Sequence, residues 1–529
     1  MKKYYLKPNV KMEPLIWQWY AWPHLIAPQT AACNIVGRHL KIMESYILAP
    51  DLHIKASSNP KLIGGPYLNV QVEKAHKVQN LIEKTKNMCS SLIALNNSLK
   101  VCNIMLQTEA TGGSLNHLYE KVPENLKGLV ELVYDLNNHP SLRLIEPLIY
   151  KKYYSEDQQK IALSEIKNDF RNFVLSTPRI ESSDEVYINI PFSSPKLNNL
   201  FESREKPISQ EELEDGFHIF PDPKKLFRSF FTENPPSLPE DRNYKGDGIR
   251  IRYFGHACVL LETKSVSILL DPVISYQIAD SNVPRYTMYD LPEHIDFVLL
   301  THNHQDHFML ETLLQLKHKI GTIVFPSNNK GALEDPSIRL MLEHLGFSSL
   351  IELDDMQAKS VPGGEIIGLP FLGEHADLNI QTKLAYHINL LGKKFVFAAD
   401  STNLDSHLYK HIFDYIGAID FLFLGMECDG APLSWLYGPL LSSPLKNTYD
   451  KERTLSGSDF KKAWPIVEQS KCKRAYVYAM GQEPWLGYIM ALQYNQASPQ
   501  IIQSDLLIDE CRKKGIESER LFGRKEWII

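Results

Sequence analysis

The chain has 529 residues, of which 43 % are hydrophobic and 23 % charged, with a formal net charge of -6; this is the balance of a soluble globular protein long enough for two or three domains. The mildly acidic charge gives no basic field for nucleic acid, and with no run of about 18 apolar residues and no signal-like start neither a membrane nor a secretory address is expected, so we place the protein in the cytoplasm. The seven cysteines are odd in number, scattered and without a CxxC, which argues against a thiolate zinc site or a disulfide framework and fits free thiols in a reducing compartment.

From Met12 to Pro28 the sequence is aromatic, with Trp17, Trp19, Tyr20 and Trp22, and reads as a packed anchor. Ile35, Leu40, Ile42, Met43, Tyr46 and Ile47 predict a helix over 31–48. Pro60–Pro66 is a turn, further helices are expected at 74–85 and 156–174, and Asn125–Tyr154 reads as strands and helices in alternation. His24, His39, His53, His76, His117, His139 and His218 are dispersed, and each is expected to be a satisfied structural residue. The stretch 1–231 therefore reads as an α/β domain whose chemistry is not visible. Thr232–Asp241, rich in proline and polar residues, and Gly246-Asp247-Gly248 mark 232–248 as a linker.

After it the pattern changes to short strands, at Ile249–Phe254, Cys258–Glu262 and Ser267–Leu270, the last closed by Asp271-Pro272. His256, in the first turn, is expected to be structural. The apolar run over 295–300 delivers His302-Asn303-His304-Gln305-Asp306-His307, with three imidazoles and one carboxylate within six positions. First-row metals prefer such ligands. Helices near 309–318, 336–345 and 457–469 alternate with strands at 321–325, 349–353, 365–371, 384–391, 394–399, 420–424 and 474–480. This order suggests two mixed sheets sandwiched between helices. Two of these strands run out into Glu374-His375 and Asp400, the same arrangement as at His302.

Phe254-Gly255-His256-Ala257, Leu270-Asp271-Pro272, Thr301–His307, Gly373-Glu374-His375 and Ala399-Asp400-Ser401 resemble the successive motifs of the metallo-β-lactamase fold. The resemblance covers about residues 249–500 and implies an αββα sandwich with a dinuclear site at one edge of its sheets. Hydrolases of that fold place a histidine where Glu374 stands, and bring another from a loop after a late strand. Here the last histidine is His411. The remaining ligand set is His302, His304, Asp306, His307, Glu374 and Asp400. Three imidazoles and three carboxylates suit iron or manganese at least as well as zinc. Two divalent ions against three carboxylates leave about one positive charge for a bridging oxygen or substrate to balance.

Over nearly its whole length the chain resembles the large non-haem di-iron β-hydroxylases of nonribosomal peptide and related antibiotic pathways. Trp19-Tyr20-Ala21-Trp22, Gly373-Glu374-His375 and Tyr478–Trp485 carry the likeness. It implies an N-terminal α/β domain joined to a metallo-β-lactamase-fold catalytic domain over 249–529. It further implies two iron ions, oxo- or hydroxo-bridged, one held by His302, His304 and Glu374. The other would be held by Asp306 and His307, with Asp400 bridging, and Glu374 and Asp400 would be the catalytic carboxylates. The implied reaction is O2-dependent hydroxylation of the β-carbon of an aminoacyl group on a peptidyl carrier protein of a nonribosomal peptide synthetase. An external electron donor or electron-transfer partner would supply reducing power. The N-terminal domain would shape the carrier-docking surface, a homodimer interface or both, and Glu427 is a candidate neighbour of the metals. The competing readings are a binuclear zinc hydrolase of thioesters, lactones or phosphodiesters, in which the metals activate water, and a non-catalytic scaffold.

Overall fold

The computed structural model describes residues 2–215, 217 and 224–529; His218 lies outside them. The aromatic opening is a strand pair, β1 (Val10–Ile16) and β2 (Trp19–Tyr20), in a four-stranded antiparallel sheet. Trp19 is buried and its ring stacks on His39 at 3.9 Å, so the expected anchor is present. Helix α1 (Pro28–Asn34) runs through a π-helical turn, Ile35–Leu40, into α2 (Lys41–Leu48), which covers the helix expected there. A 20-residue helix, α3 (Ser90–Glu109), buries Leu92, Leu95, Leu99, Cys102 and Leu106.

The helix expected at 156–174 is not formed. In its place is β3 (Gln159–Glu165), which pairs with β1 on one side and β4 (Val186–Asn189) on the other to give the order β2-β1-β3-β4. Ile161 and Leu163 occupy one face of this strand and the other face is covered as well. Pairing along both edges here overrides a helical pattern of side chains.

The remainder forms two seven-stranded sheets. The first contains β5 (Arg250–Gly255), β6 (Cys258–Glu262), β7 (Ser267–Leu270) and β8 (Ile295–Leu299), followed by helix α4 (Leu310–Leu316). It is completed by β9 (Ile320–Pro326) and β10 (Leu350–Leu353), with a C-terminal strand on the far edge. The second contains β11 (Ala358–Val361), β12 (Gly364–Leu369), β13 (Ala385–Leu390), β14 (Lys393–Phe397) and β15 (Phe421–Gly425). A short helix, α5 (Leu433–Tyr437), then precedes β16 (Arg474–Tyr478), and a further strand closes the sheet. The inner faces meet through Ile251, Leu261, Ile268, Leu299, Ile366, Ile388, Phe397 and Phe423. Stacked pairs such as Phe397–Phe423, at 4.6 Å, fill the layer. This is the αββα sandwich, with helices over the outer face of the second sheet.

The outer face of the first sheet is covered differently. Its residues Cys258, Leu260, Leu269, Val298 and Phe325 belong to one continuous core with Leu6, Met12, Trp19, Ile35 and Met43 of the N-terminal half. A buried ion-pair network seals this seam. Glu13 of β1 accepts from Arg171 Nη2 and Arg179 Nε, both at 2.7 Å, and Arg171 Nη2 also donates to Glu311 of α4 at 2.7 Å. Tyr20 and Tyr276 donate to the same Glu311 carboxylate, each at 2.8 Å. Residues 233–248 hold neither helix nor strand, yet Arg242 within them is buried and pairs with Glu205 and Glu293. Among the described residues no helix is long and apolar enough to cross a membrane.

Burial disfavours the charged form of Glu13, but Arg179, Lys11 and Arg171 outweigh it and hold the carboxyl well below the usual range. Its stabilisation is therefore present above about pH 4.3 and disappears as the pH falls through the depressed folded value. Glu13→Ala leaves two guanidinium groups short of a partner and should cost about 3–5 kcal/mol. Denaturant unfolding at pH 7 measures this, and a loss under about 1 kcal/mol would mean the network contributes little.

Candidate metal centre

The site is built where buried strands stop. β7 and β8 pair in parallel with Leu270 opposite Leu299, so the residues after them emerge side by side. Asp271 follows β7 and Thr301 begins the histidine loop. Asp271 Oδ1 accepts from the Thr301 amide at 2.8 Å, and Oδ2 from the Thr301 hydroxyl at 2.7 Å. Oδ2 also accepts from His307 Nδ1 at 2.8 Å. With its proton given to Asp271, the Thr301 hydroxyl accepts from His302 Nδ1 at 2.9 Å. Both imidazoles are thereby protonated on Nδ1, and both Nε2 atoms are left buried without a hydrogen-bond partner. Such outer partners set ring orientation and tautomer at metal sites.

The carboxylates arrive from the second sheet. Glu374 follows β12 in a loop where Gly373 has φ +77, and a Cβ there would lie 2.5 Å from Thr402 Cβ. Glu374 Oε1 lies 2.7 Å from His304 Nδ1, and Oε2 lies 4.0 Å from His302 Nε2. Asp400 follows β14, with Oδ2 3.1 Å from His307 Nε2 and 3.9 Å from His302 Nε2. Asp306 Oδ2 lies 3.6 Å from His307 Nε2 and 3.0 Å from His256 Nε2. All six residues expected from the sequence thus converge, and all six are buried. Their atoms form overlapping groups close enough to hold metal ions: His302, His304 and Glu374; His302, His307 and Asp400; His256, Asp306 and His307. His256, Asp271, Glu374 and Ala399 all have positive φ. Strain of this kind concentrates where loops are held for function.

Charge is tightly coupled here. Burial opposes ionisation of Glu374, but the His304 and His375 imidazoles outweigh it and hold the carboxyl down to about 2. Burial, with His307 and His304 next, pushes His302 well below its ordinary value, so it is neutral. Glu427 is half-buried, and burial together with Asp400, Asp306 and Glu374 pushes its carboxyl well up, which makes it an electrostatic neighbour of the cluster as expected. Burying Nε2 of His302 and His307, Oε2 of Glu374 and Oδ1 of Asp400 with no hydrogen-bond partner is costly. A cation fits these convergent imidazole nitrogens and anionic oxygens.

Sequence reasoning misjudged several residues. His256 is not only a turn residue, since it contacts Asp306. Its turn is buttressed by the late-strand loop: Glu483 accepts from Tyr253 at 2.8 Å, and Trp485 packs so close that a Cβ on Gly255 would meet its ring at 2.8 Å. Asp271 was readable as a strand terminator and as part of a fold motif, with no role at the site assigned to it. Tyr437, whose hydroxyl lies 2.7 Å from His304 Nε2, carries no local sequence signal. His53 is a satisfied structural histidine, with Leu68 N and Ser45 Oγ as partners. His24 is not. Neither ring nitrogen has a hydrogen bond, and burial, then His304, Arg38 and His375, push it down to about 3. It packs neutral between Trp22, at 4.8 Å, and the Tyr437 ring, at 5.9 Å.

A cavity of about 930 Å³ opens from Asp306, Glu374 and Asp400 toward the surface. One wall is N-terminal, with Arg38, Lys41, Ile42, Leu62 and Phe173, and the other is C-terminal, with Trp435, Leu436, Leu455 and Met490.

Comparison with known proteins gives matches to both halves. Residues 5–235 match the family described as diiron non-heme beta-hydroxylase N-terminal domain, and residues 250–407 match the beta-lactamase superfamily domain. The chain is 35 % identical over 533 residues, 99 % of each chain, to the 4-amino-L-phenylalanyl-[CmlP-peptidyl-carrier-protein] 3-hydroxylase of Streptomyces venezuelae. It superposes on the crystal structure of CmlA, a diiron beta-hydroxylase from that organism, with a TM-score of 0.93 over 100 % of both chains at 35 % identity. A mutant of the CmlA beta-hydroxylase gives 0.89 over 99 % of this chain and 100 % of that one, also at 35 % identity.

Asp271→Asn turns an amide group toward donors that now share a carboxylate, and it releases the His307 ring. Metal affinity should fall about 10–100-fold. Metal content after dialysis against a graded chelator series measures this, and unchanged retention would remove Asp271 from the ring-orienting role.

Proposed function

The chain belongs to the non-haem di-iron β-hydroxylase family, and from that premise we propose that it hydroxylates the β-carbon of an aminoacyl group carried as a thioester on a peptidyl carrier protein of a nonribosomal peptide synthetase. The carrying observation is the cavity that joins the carboxylate–imidazole cluster to the surface between the two halves of the chain. We assign His302, His304 and Glu374 to one iron and Asp306 and His307 to the other, with Asp400 between them. When bound, the iron pair supplies the two-electron chemistry by which O2, two electrons from an external donor and two protons convert C–H to C–OH and water.

The remaining work belongs to the protein. Asp271 and Thr301 hold the two Nε2 donors in place. The two Glu374 oxygens face different imidazoles, Oε1 that of His304 at 2.7 Å and Oε2 that of His375 at 2.9 Å, which fixes the plane of the carboxylate. Leu436, Leu455 and Met490 give the cavity an apolar wall that excludes water from the reacting C–H bond. At the N-terminal wall Lys41 and Lys61 are exposed, a local basic patch for an acidic carrier protein in a chain whose net charge is negative. The reading divides the chain into 1–231, which walls the cavity and docks the carrier or a second protomer, the connector 232–248 and the catalytic 249–529. It places the protein in the cytoplasm with its synthetase and electron donor. The zinc hydrolase and the scaffold give way to it, because the full-length relative is a hydroxylase.

Natively produced protein should hold about two iron ions per chain. Oxygen uptake should appear only with reductant and an aminoacyl-loaded carrier protein, and zinc alone with thioester hydrolysis in the absence of O2 would overturn the proposal. Glu374→His should abolish hydroxylation, assayed by mass spectrometry of the carrier-bound product; retained hydroxylation would remove Glu374 from the ligand set.

A further inference from the structure

Helix α5 supplies none of the proposed ligands, yet its last residue reaches one. The buried Tyr437 hydroxyl lies 2.7 Å from His304 Nε2, on the side of the ring opposite the Glu374 contact at Nδ1. When Nδ1 is given to a metal, the one proton of the neutral imidazole sits on Nε2 and donates to the Tyr437 oxygen. That hydrogen bond fixes the tautomer, the ring plane and the donor strength of Nδ1.

What places Tyr437 comes from the other half of the chain. A five-residue helix has no stability of its own. The carbonyls of Trp435 and Leu436 near its end both accept from Arg38 Nη2, at 2.7 and 3.0 Å. Arg38 is buried in the π-helical turn Ile35–Leu40 and has no carboxylate partner among the described residues, so its hydrogen bonds go to this helix end. A guanidinium at a helix C-terminus also complements the partial negative charge there. Its neighbour Gly37 lets the turn approach: a Cβ at 37 would lie 3.0 Å from Pro439 Cα and Cβ, just beyond Tyr437. Trp435 Nε1 donates to Gly64 O at 2.9 Å, and the His24 ring meets the Tyr437 ring edge to face at 5.9 Å. Four N-terminal residues thus grip one C-terminal turn, and a π-helical turn is an irregularity often kept for function.

We propose that Tyr437 is a positioning residue for His304 and that Arg38 sets Tyr437, so that the N-terminal half of the chain holds a metal ligand of the catalytic half across the cavity wall. The inference rests on His304 being an iron ligand. It makes the wall that lines the cavity and the support of the iron one mechanical unit, because Arg38 belongs to both.

The test uses the full-length iron-loaded protein, with iron affinity from competition against a chromogenic chelator and the reduction potential from a mediated titration. Tyr437→Phe keeps the ring and removes the acceptor. It should weaken iron binding about 10–100-fold and raise the potential, because a less electron-rich imidazole disfavours the ferric state. Arg38→Met keeps the stem and removes the donors, touches no proposed ligand, and should shift both quantities in the same direction. The double variant should lose no more than the larger single effect, since both act through one contact. Parental iron affinity and potential in Tyr437→Phe, or additive effects in the double variant, would overturn the proposal. A general structural role for Arg38 would lower the thermal midpoint and leave the potential unmoved. His304→Ala separates the two levels of the argument. If it retains both irons at parental affinity the ligand assignment itself fails, whereas if it loses iron and Tyr437→Phe does not, only the positioning role fails.

Discussion

The centre depends on one buried carboxylate. Asp271 accepts three hydrogen bonds, from the Thr301 amide, the Thr301 hydroxyl and His307 Nδ1, and through the hydroxyl it governs His302 as well. A buried carboxylate without such partners would be expensive; with them it turns two neighbouring imidazoles so that both Nε2 atoms face the same volume. The parallel register of β7 and β8 makes this possible, since it brings Asp271 and Thr301 out of the sheet at the same level. The first sheet thereby fixes the imidazole nitrogens, and the second brings the Glu374 and Asp400 oxygens to meet them.

That meeting imposes backbone conformations that these residues do not favour. His256, Asp271, Glu374, Ala399 and Ala479 have positive φ at the ends of strands or in the turns beside them. Each such residue costs about 1–3 kcal/mol. The surrounding structure over-determines them: Ala479 N donates to His256 O at 2.9 Å, Ala399 N to Tyr478 Oη at 3.0 Å, and Thr402 crowds Gly373. The rigid aromatic layer between the sheets, including Phe397, Phe423 and Tyr478, is the foundation that holds the strained loops in register.

What was legible in the sequence was whatever is written locally. The cluster His302–His307 lies in one short loop, and Glu374 and Asp400 each close an apolar strand, so residue type and strand end together identified all six. The two mixed sheets were legible for the same reason, since short apolar strands of four to seven residues repeat along 249–480. The helix Ser90–Glu109 is written in the same local way, because its buried Leu92, Leu95 and Leu99 fall three and four apart. The misreading of 156–174 has a different cause: Gln159–Glu165 is a strand because β1 and β4 border it, a fact of partners over 20 residues away. Tyr437 and Asp271 belong to the same class. Their importance lies in a contact with a histidine 133 or 36 positions distant, and no periodicity records that.

The seam between the halves then takes on a chemical meaning. The outer face of the first sheet packs under α4 and in one core with the N-terminal residues, sealed by the Glu13–Arg171–Glu311 network. Glu311 is four residues beyond His307, on the helix that the metal loop feeds directly. The N-terminal half therefore bears on the site from two directions, at the base through Glu311 and at the rim through Arg38 and α5. The cavity lies between these supports and borrows a wall from each half. Arg38 and Leu436 line that cavity and also make the contact that sets Tyr437 against His304, so the wall of the cavity and the orientation of an imidazole in the cluster share the same residues.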